Sequence, residues 1–311
     1  MHDEANTAAA EPSSSARLIR GVFVVTLLGT VVYGVLVVAN DAKSVGAALA
    51  QFRWSAFGMA LLLVTGNYVL RFARWELYLR ALGLRIPTFD SALIFTSGFT
   101  MSVTPGKLGE VFKSALLREA HGVPVERTAP IVLAERLTDL IALVLIASVG
   151  CLRFPFGIAI AGTGAAACAL AGAACVHRGF GLFAVRTLAR LPVLRRFDSE
   201  LHRAFESLHA VSSVRAMLAA ATLATVGWSL EAIACHGILH GFPGTHIGWT
   251  DVCFAYAASQ IAGALAFVPG GLGVTEAGMA GFLRATAGGG VSGATAASAT
   301  VLTRLATLWW A

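Results

Sequence analysis

The chain has 311 residues, 57% of them hydrophobic and only 13% charged, with a mean hydropathy of +0.74. A soluble domain carries about 25% charged residues, so this composition excludes an ordinary soluble enzyme and points to an integral membrane protein. The net charge of +6 is not a nucleic-acid footprint, because most of the excess Lys and Arg sits at the edges of apolar runs and in one loop.

In chain order, residues 1–16 are polar and low in complexity and read as a disordered tail. Residues 17–311 read as a single transmembrane domain. No small-x-small cleavage site follows the apolar run after Arg17 and Arg20, so no signal peptide is expected. Spanning helices are predicted at about 21–39, 56–82, 127–150, 157–176, 214–240 and 294–311. The last run reaches Ala311 without a polar flank, which leaves further helices beyond it open. The fold class is therefore all-α, a polytopic membrane helical bundle. Cys151, Cys168, Cys175, Cys235 and Cys253 are odd in number and lie mainly in apolar segments, as small packing residues do.

Two apolar stretches, about 88–118 and 251–284, are interrupted by the same pattern. Residues 104–110 read Thr-Pro-Gly-Lys-Leu-Gly-Glu, and residues 268–276 read Val-Pro-Gly-Gly-Leu-Gly-Val-Thr-Glu. Pro105 and Pro269 lie 164 residues apart. Each proline removes an amide donor, and the glycines Gly106, Gly109, Gly270, Gly271 and Gly273 permit a tight turn. Each segment is predicted to be a re-entrant hairpin or a pair of broken helices, since irregular backbone at membrane depth must be buried or line a wet cavity.

The linker 177–213 carries six arginines, at 178, 186, 190, 195, 196 and 203, against three acids, and is assigned to the cytoplasm. Its spacing of Phe180, Leu182, Phe183, Val185 and Leu188 suggests an amphipathic segment on the inner leaflet. Counting back places the N-terminus in the cytoplasm, and places loops 40–55, 151–156 and 241–250 outside. Repeat 1, about 56–150, and repeat 2, about 214–311, then run in opposite senses as an inverted-topology repeat.

Several polar residues fall inside the apolar helices. Lys107 adds a cation to the first turn, while Glu110 and Glu276 follow the two turns, and a restarting helix end suits an anion. Glu135, Arg136 and Asp139 lie on one predicted span, where a charge costs about 2.5–3.5 kcal/mol and so faces a cavity or a partner. Arg136 follows Pro105 by 31 residues and Arg304 follows Pro269 by 35, which makes them candidate counterparts able to hold phosphate. Asn67, Arg71 and Arg74 share a helix face; Arg71 is the deeper candidate, and Arg74 is expected to snorkel to the interface with Arg80 and Arg85. Glu231 is an isolated carboxylate, suited to carry a proton or pair with an arginine. His236 and His240 share a face but lack a completing ligand, so no metal is expected, and no motif calls for another cofactor.

The strings TPGKLGEVFKSALL (104–117), AERLTDL (134–140) and VPGGLGVTEAGM (268–279) resemble the transmembrane region of lysylphosphatidylglycerol synthases, and more broadly flippase-like bacterial and archaeal membrane proteins. The resemblance covers most of residues 56–311. In the full synthases this region is implicated in moving aminoacylated lipids to the outer leaflet, and a separate soluble domain makes them, so synthase activity does not carry over. The resemblance implies a lipid translocase of the bacterial inner membrane. Its partner is a membrane lipid: an aminoacyl phospholipid, a polyprenyl-phosphate sugar or a relative, with homo-oligomerisation open and nucleic acid not involved. Lys107, Arg136, Arg304 and Arg71 are then expected at phosphate, and Glu110, Glu135, Asp139 and Glu276 at an amine, a sugar or a proton. Two other classes compete: a membrane-embedded enzyme acting on a lipid-phosphate headgroup, and a scaffold for a lipid-biosynthesis complex.

Overall fold

A computed structural model describes residues 14–101, 112–152, 157–190, 198–266 and 268–310. Every regular element among them is helical. In chain order they are α1 (Ser14–Ala39), α2 (Ala42–Ala50), α3 (Trp54–Ala81), α4 (Thr88–Ser97), α5 (Phe112–His121), α6 (Val125–Cys151) and α7 (Gly157–Val176). There follow α8 (Arg178–Leu188), α9 (Asp198–Val211), α10 (Val214–His240), α11 (Trp249–Leu265), α12 (Val274–Thr286) and α13 (Gly293–Arg304). A short π-helical stretch, Leu305–Trp309, prolongs α13. The chain is an all-α polytopic bundle. Of the first motif, Pro105, Gly106, Lys107, Gly109 and Glu110 lie outside the described residues.

By length and composition, α3 and α10 can each cross a membrane alone. At 1.5 Å per residue they reach about 40 Å, more than the roughly 30 Å hydrocarbon core. They form the central pair and run antiparallel. At one end Arg53 N–H donates to Gly241 O (3.0 Å), and the Phe52 and Phe242 rings lie 4.7 Å apart. Midway, Gly227 lets the helices close, because a Cβ there would stand 2.2 Å from Asn67 Oδ1. At the other end Trp75, Tyr78 and Leu79 of α3 share a buried cluster with Ala220 of α10. Ser213 starts α10 by accepting from Ala216 N–H (3.2 Å), and Ser292 starts α13 by accepting from Thr295 N–H (3.0 Å).

Each half places a helical hairpin beside this pair. In the second half, Gly263 of α11 meets Thr275 of α12, and Gly278 of α12 meets Ser259 of α11, so the two helices return along each other. At 17 and 13 residues, neither arm alone matches the length of a full span, which needs about 20. In the first half, α4 and α5 pair likewise, with Asp90 near His121 at 3.4 Å and Phe95 near Lys113. The apolar core is split accordingly. One cluster joins Val64, Leu143, Ile238, Tyr256, Met279 and Leu302, and a second joins Trp75, Tyr78, Phe95, Leu117 and Ile131.

One expected feature differs. The stretch 40–55, expected to be a loop, contains α2, which turns 96° from α1 after Asp41. Helix α7 is followed by a bend of 112° into α8, so the basic linker begins as a helix lying across the end of α7. The reason is local: Asp41 caps α2 by accepting from Ser44 N–H (3.3 Å), and Arg178 of α8 is tied to Glu206 of α9 by two hydrogen bonds of 3.0 and 2.9 Å.

Candidate functional site

Helix α6 brings Glu135, Thr138 and Asp139 to one buried face, at spacings of three and four residues. Facing them are α3, α5 and α10. Arg74 Nη1 of α3 donates to Asp139 Oδ1 (2.7 Å) and to Thr138 Oγ1 (3.2 Å). Trp228 Nε1 of α10 donates to the same Asp139 oxygen (3.0 Å). Arg136 Nη2 lies 3.1 Å from Asp139 Oδ2. One turn away, Lys113 Nζ of α5 donates to Glu135 Oε2 (2.9 Å) and sits over the Trp75 and Phe95 rings, at 4.6 and 5.4 Å from their centroids. Arg71 lies one turn before Arg74 on α3, half-buried, over the Phe99 ring at 5.6 Å.

This first cluster is cationic. Arg71, Arg74, Lys113 and Arg136 stand against Glu135 and Asp139, a surplus of two positive charges among these six side chains. Arg74 is 1% exposed, yet its Nε and Nη2 find no hydrogen-bond partner among the described residues. A buried guanidinium that uses one of its nitrogens has donors left for an anion. Arg74 therefore does not snorkel as expected. The helix crossing turns its face inward, and Asp139, 65 residues away in sequence, holds it.

The second cluster is neutral. Pro269, Gly270 and Gly271 form a tight turn, and Gly270, Gly271 and Gly273 adopt φ of 59°, 68° and 87°, where a side chain is strained. Glu276 Oε2 accepts from Gly273 N–H (2.6 Å), and its Oε1 accepts from Arg304 Nε (2.6 Å). Arg304 Nη2 donates to Gly270 O (2.6 Å). Glu276 and Arg304 satisfy each other and pin the turn to α13. The restarting helix end is occupied by the protein's own carboxylate.

Between the clusters lies a third group. Glu231 of α10 is 4% exposed; its Oε1 accepts from Asn67 Nδ2 of α3 and its Oε2 accepts from Tyr256 OH of α11. Asn67 was read only as a helix-face companion of Arg71, and Tyr256 gave no signal at all, because a lone tyrosine in an apolar helix is ordinary. Lys113 was also missed. It lies six residues past Lys107 on a helix with charges all round, and only the fold turns it toward Glu135.

The remaining sequence candidates do not join these groups. The His236 and His240 rings lie 4.3 Å apart, tilted by 52°, near Trp249, and among the described residues no set of three His, Cys, Asp or Glu side chains is placed to hold a metal ion. The five cysteines are free thiols.

A family model described as the lysylphosphatidylglycerol synthase TM region matches residues 19–311, nearly the whole chain. No curated protein matches the sequence.

Proposed function

The chain belongs to the lysylphosphatidylglycerol synthase transmembrane-region family, and from that membership and the geometry we propose that it is a lipid translocase for a phosphate-bearing headgroup. The observation that carries the proposal is the buried Arg74, whose Nε and Nη2 have no hydrogen-bond partner among the described residues. A buried guanidinium with unused donors is costly unless an acceptor meets it. Arg74, with free donors, is the centre of the headgroup site. Arg71, Arg136 and Lys113 supply the remaining field. Glu135 and Asp139 hold the cations in position and meet an amine or sugar on the lipid. Glu276 and Arg304 keep the second hairpin closed rather than touch the cargo.

The cargo is an anionic membrane lipid, such as an aminoacyl phospholipid or a polyprenyl-phosphate sugar. The protein acts in the bacterial inner membrane with its N-terminus in the cytoplasm, as the basic linker suggests. Movement between leaflets follows from an inverted repeat. Helix α3 corresponds to α10, the α4–α5 hairpin to α11–α12, and α6 to α13. The antiparallel central pair supports this, as does the recurrence of one offset. Pro105 and Pro269 are 164 residues apart, and so are Asn67 and Glu231, which touch across the pair. Residues related by the repeat meet each other only near its two-fold axis.

The test is reconstitution into phosphatidylglycerol-containing liposomes with a fluorescent phosphatidylglycerol and a membrane-impermeant quencher. Wild type is expected to exchange the probe between leaflets faster than protein-free liposomes, and Arg74→Met to lose about tenfold or more of that rate, the equivalent of at least one lost phosphate hydrogen bond. Equal rates for the two proteins would remove Arg74 from the site. No rate above empty liposomes would reject phosphatidylglycerol-type cargo.

A further inference from the structure

We infer that Glu231 is a proton-binding site that couples the aqueous proton gradient to the relative movement of the two halves. The inference rests on the translocase reading for its purpose, but the proton site itself stands on local chemistry.

The chemistry lies in the partners. Glu135 is held by Lys113, Asp139 by Arg74, Arg136 and Trp228, and Glu276 by Arg304 and a backbone N–H. All of these only donate. A proton added to any of those carboxyls would point at a donor and leave a buried charge uncompensated. The named partners of Glu231 are of another kind. Tyr256 OH donates or accepts by rotating about its C–O bond, and the Asn67 amide exchanges its oxygen and nitrogen by flipping. The site therefore offers Glu231 a partner able to match it both as a carboxylate and as a neutral acid.

Position gives the proton its leverage. Glu231 joins three helices: its own α10, α3 of the first half and α11 of the second hairpin. A proton on Oε2 turns Tyr256 from donor to acceptor and frees its hydrogen to seek another partner, which alters the α10–α11 contact. A proton on Oε1 requires Asn67 to flip against Gly227, whose missing Cβ is what leaves room for the amide. Asn67 and Glu231 are 164 residues apart, the spacing of the two prolines, so the pair lies where the halves swing against each other. Of its two members only Glu231 titrates.

Ionisable groups face it from several helices. Tyr68, which senses Glu231, and Arg71 lie on α3; Cys235 is on α10 and Tyr256 on α11. Arg304 of α13 acts on Tyr256 from the far side, and Asp139 of α6 is reached through Trp228, whose ring lies 6.4 Å from that of Tyr256. The proton is taken from water at one membrane face and released to water at the other, so no further reactant is consumed.

The first measurement uses the full chain purified in detergent, titrated from alkaline to acid pH and followed by infrared difference spectroscopy. A protonated-carboxyl C=O band that grows on acidification and is lost in Glu231→Gln supports the site. A wild type without such a band, or a Glu231→Gln protein that keeps it, overturns it. Tyr256→Phe keeps the carboxyl and is expected to shift the midpoint of that band by about tenfold in proton affinity; an unmoved midpoint counts against the site, and this variant also serves if Glu231→Gln does not fold. Trp228 fluorescence checks folding in each case. The second measurement is the liposome assay with fluorescent phosphatidylglycerol under an imposed pH gradient. Wild type is expected to change rate several-fold with the gradient, and Glu231→Gln to run equally fast with and without it. A wild type that moves the probe but ignores the gradient, or a variant that still follows it, overturns coupling. If wild type moves no probe at all, the translocase reading fails on its own and the infrared band alone decides the proton site.

Discussion

The two hairpins are built alike and charged oppositely. In the first half the arm after the turn carries the cation, Lys113, and the next long helix the anion, Glu135. In the second half the arm carries the anion, Glu276, and the next helix the cation, Arg304. Each bridge ties a hairpin to its neighbour, yet the surroundings differ. Glu276 and Arg304 close on each other and on the turn, leaving a neutral lock. Glu135 and Lys113 stand beside Arg74 and Arg136, which both reach Asp139, and beside Arg71 over the Phe99 ring. A buried ion pair by itself stabilises little, because desolvation cancels most of the attraction. On the proposed function, the second bridge serves shape, whereas the first cluster, with the unused donors of Arg74, is the one that meets the headgroup.

The largest expected effect tests that cluster. Asp139→Ala leaves the buried Arg74 without the acceptor it shares with Arg136 and is expected to cost about 3–5 kcal/mol, read as a fall in the unfolding midpoint in detergent. A midpoint within a degree or two of wild type would mean that water already screens the cluster.

Next, Glu276→Gln is expected to cost about 3 kcal/mol by stranding Arg304, while the double change Glu276→Gln with Arg304→Met recovers most of it, since replacing both members of a buried pair is often close to neutral. The double variant is also expected to keep most of its lipid-transfer rate, in contrast to Lys113→Met, which is expected to lose about tenfold. If both variants lose transfer equally, the contrast between lock and reader collapses.

A smaller effect is expected at the second turn. Gly270→Ala places a side chain at φ 59° and is expected to cost about 1–2 kcal/mol, visible as a lower midpoint without loss of helix by circular dichroism. The smallest is Ser292→Ala, which removes the cap of α13 at a cost of about 1 kcal/mol. An effect as large as that of Asp139→Ala would show that α13 is held by its cap rather than by Arg304.

The helical class and most element positions were legible from the chain alone, because long apolar runs have one stable form in lipid, and Pro with Gly has few uses other than a turn. The pairing of Arg136 with Asp139 was also legible, being three residues along one helix. The duplication of the Pro-Gly pattern pointed to two hairpins, and α11–α12 is one. What only the tertiary structure decided was which charges meet. Arg74 reaches Asp139, Lys113 reaches Glu135, Arg304 reaches Glu276 and Asn67 reaches Glu231 across separations of 22 to 164 residues. Helix periodicity assigns a face to each of these side chains. The facing element is set by how α3 crosses α10 and how each hairpin folds back, and so the same arginine spacing that suggested an interface residue at Arg74 yields a buried anchor.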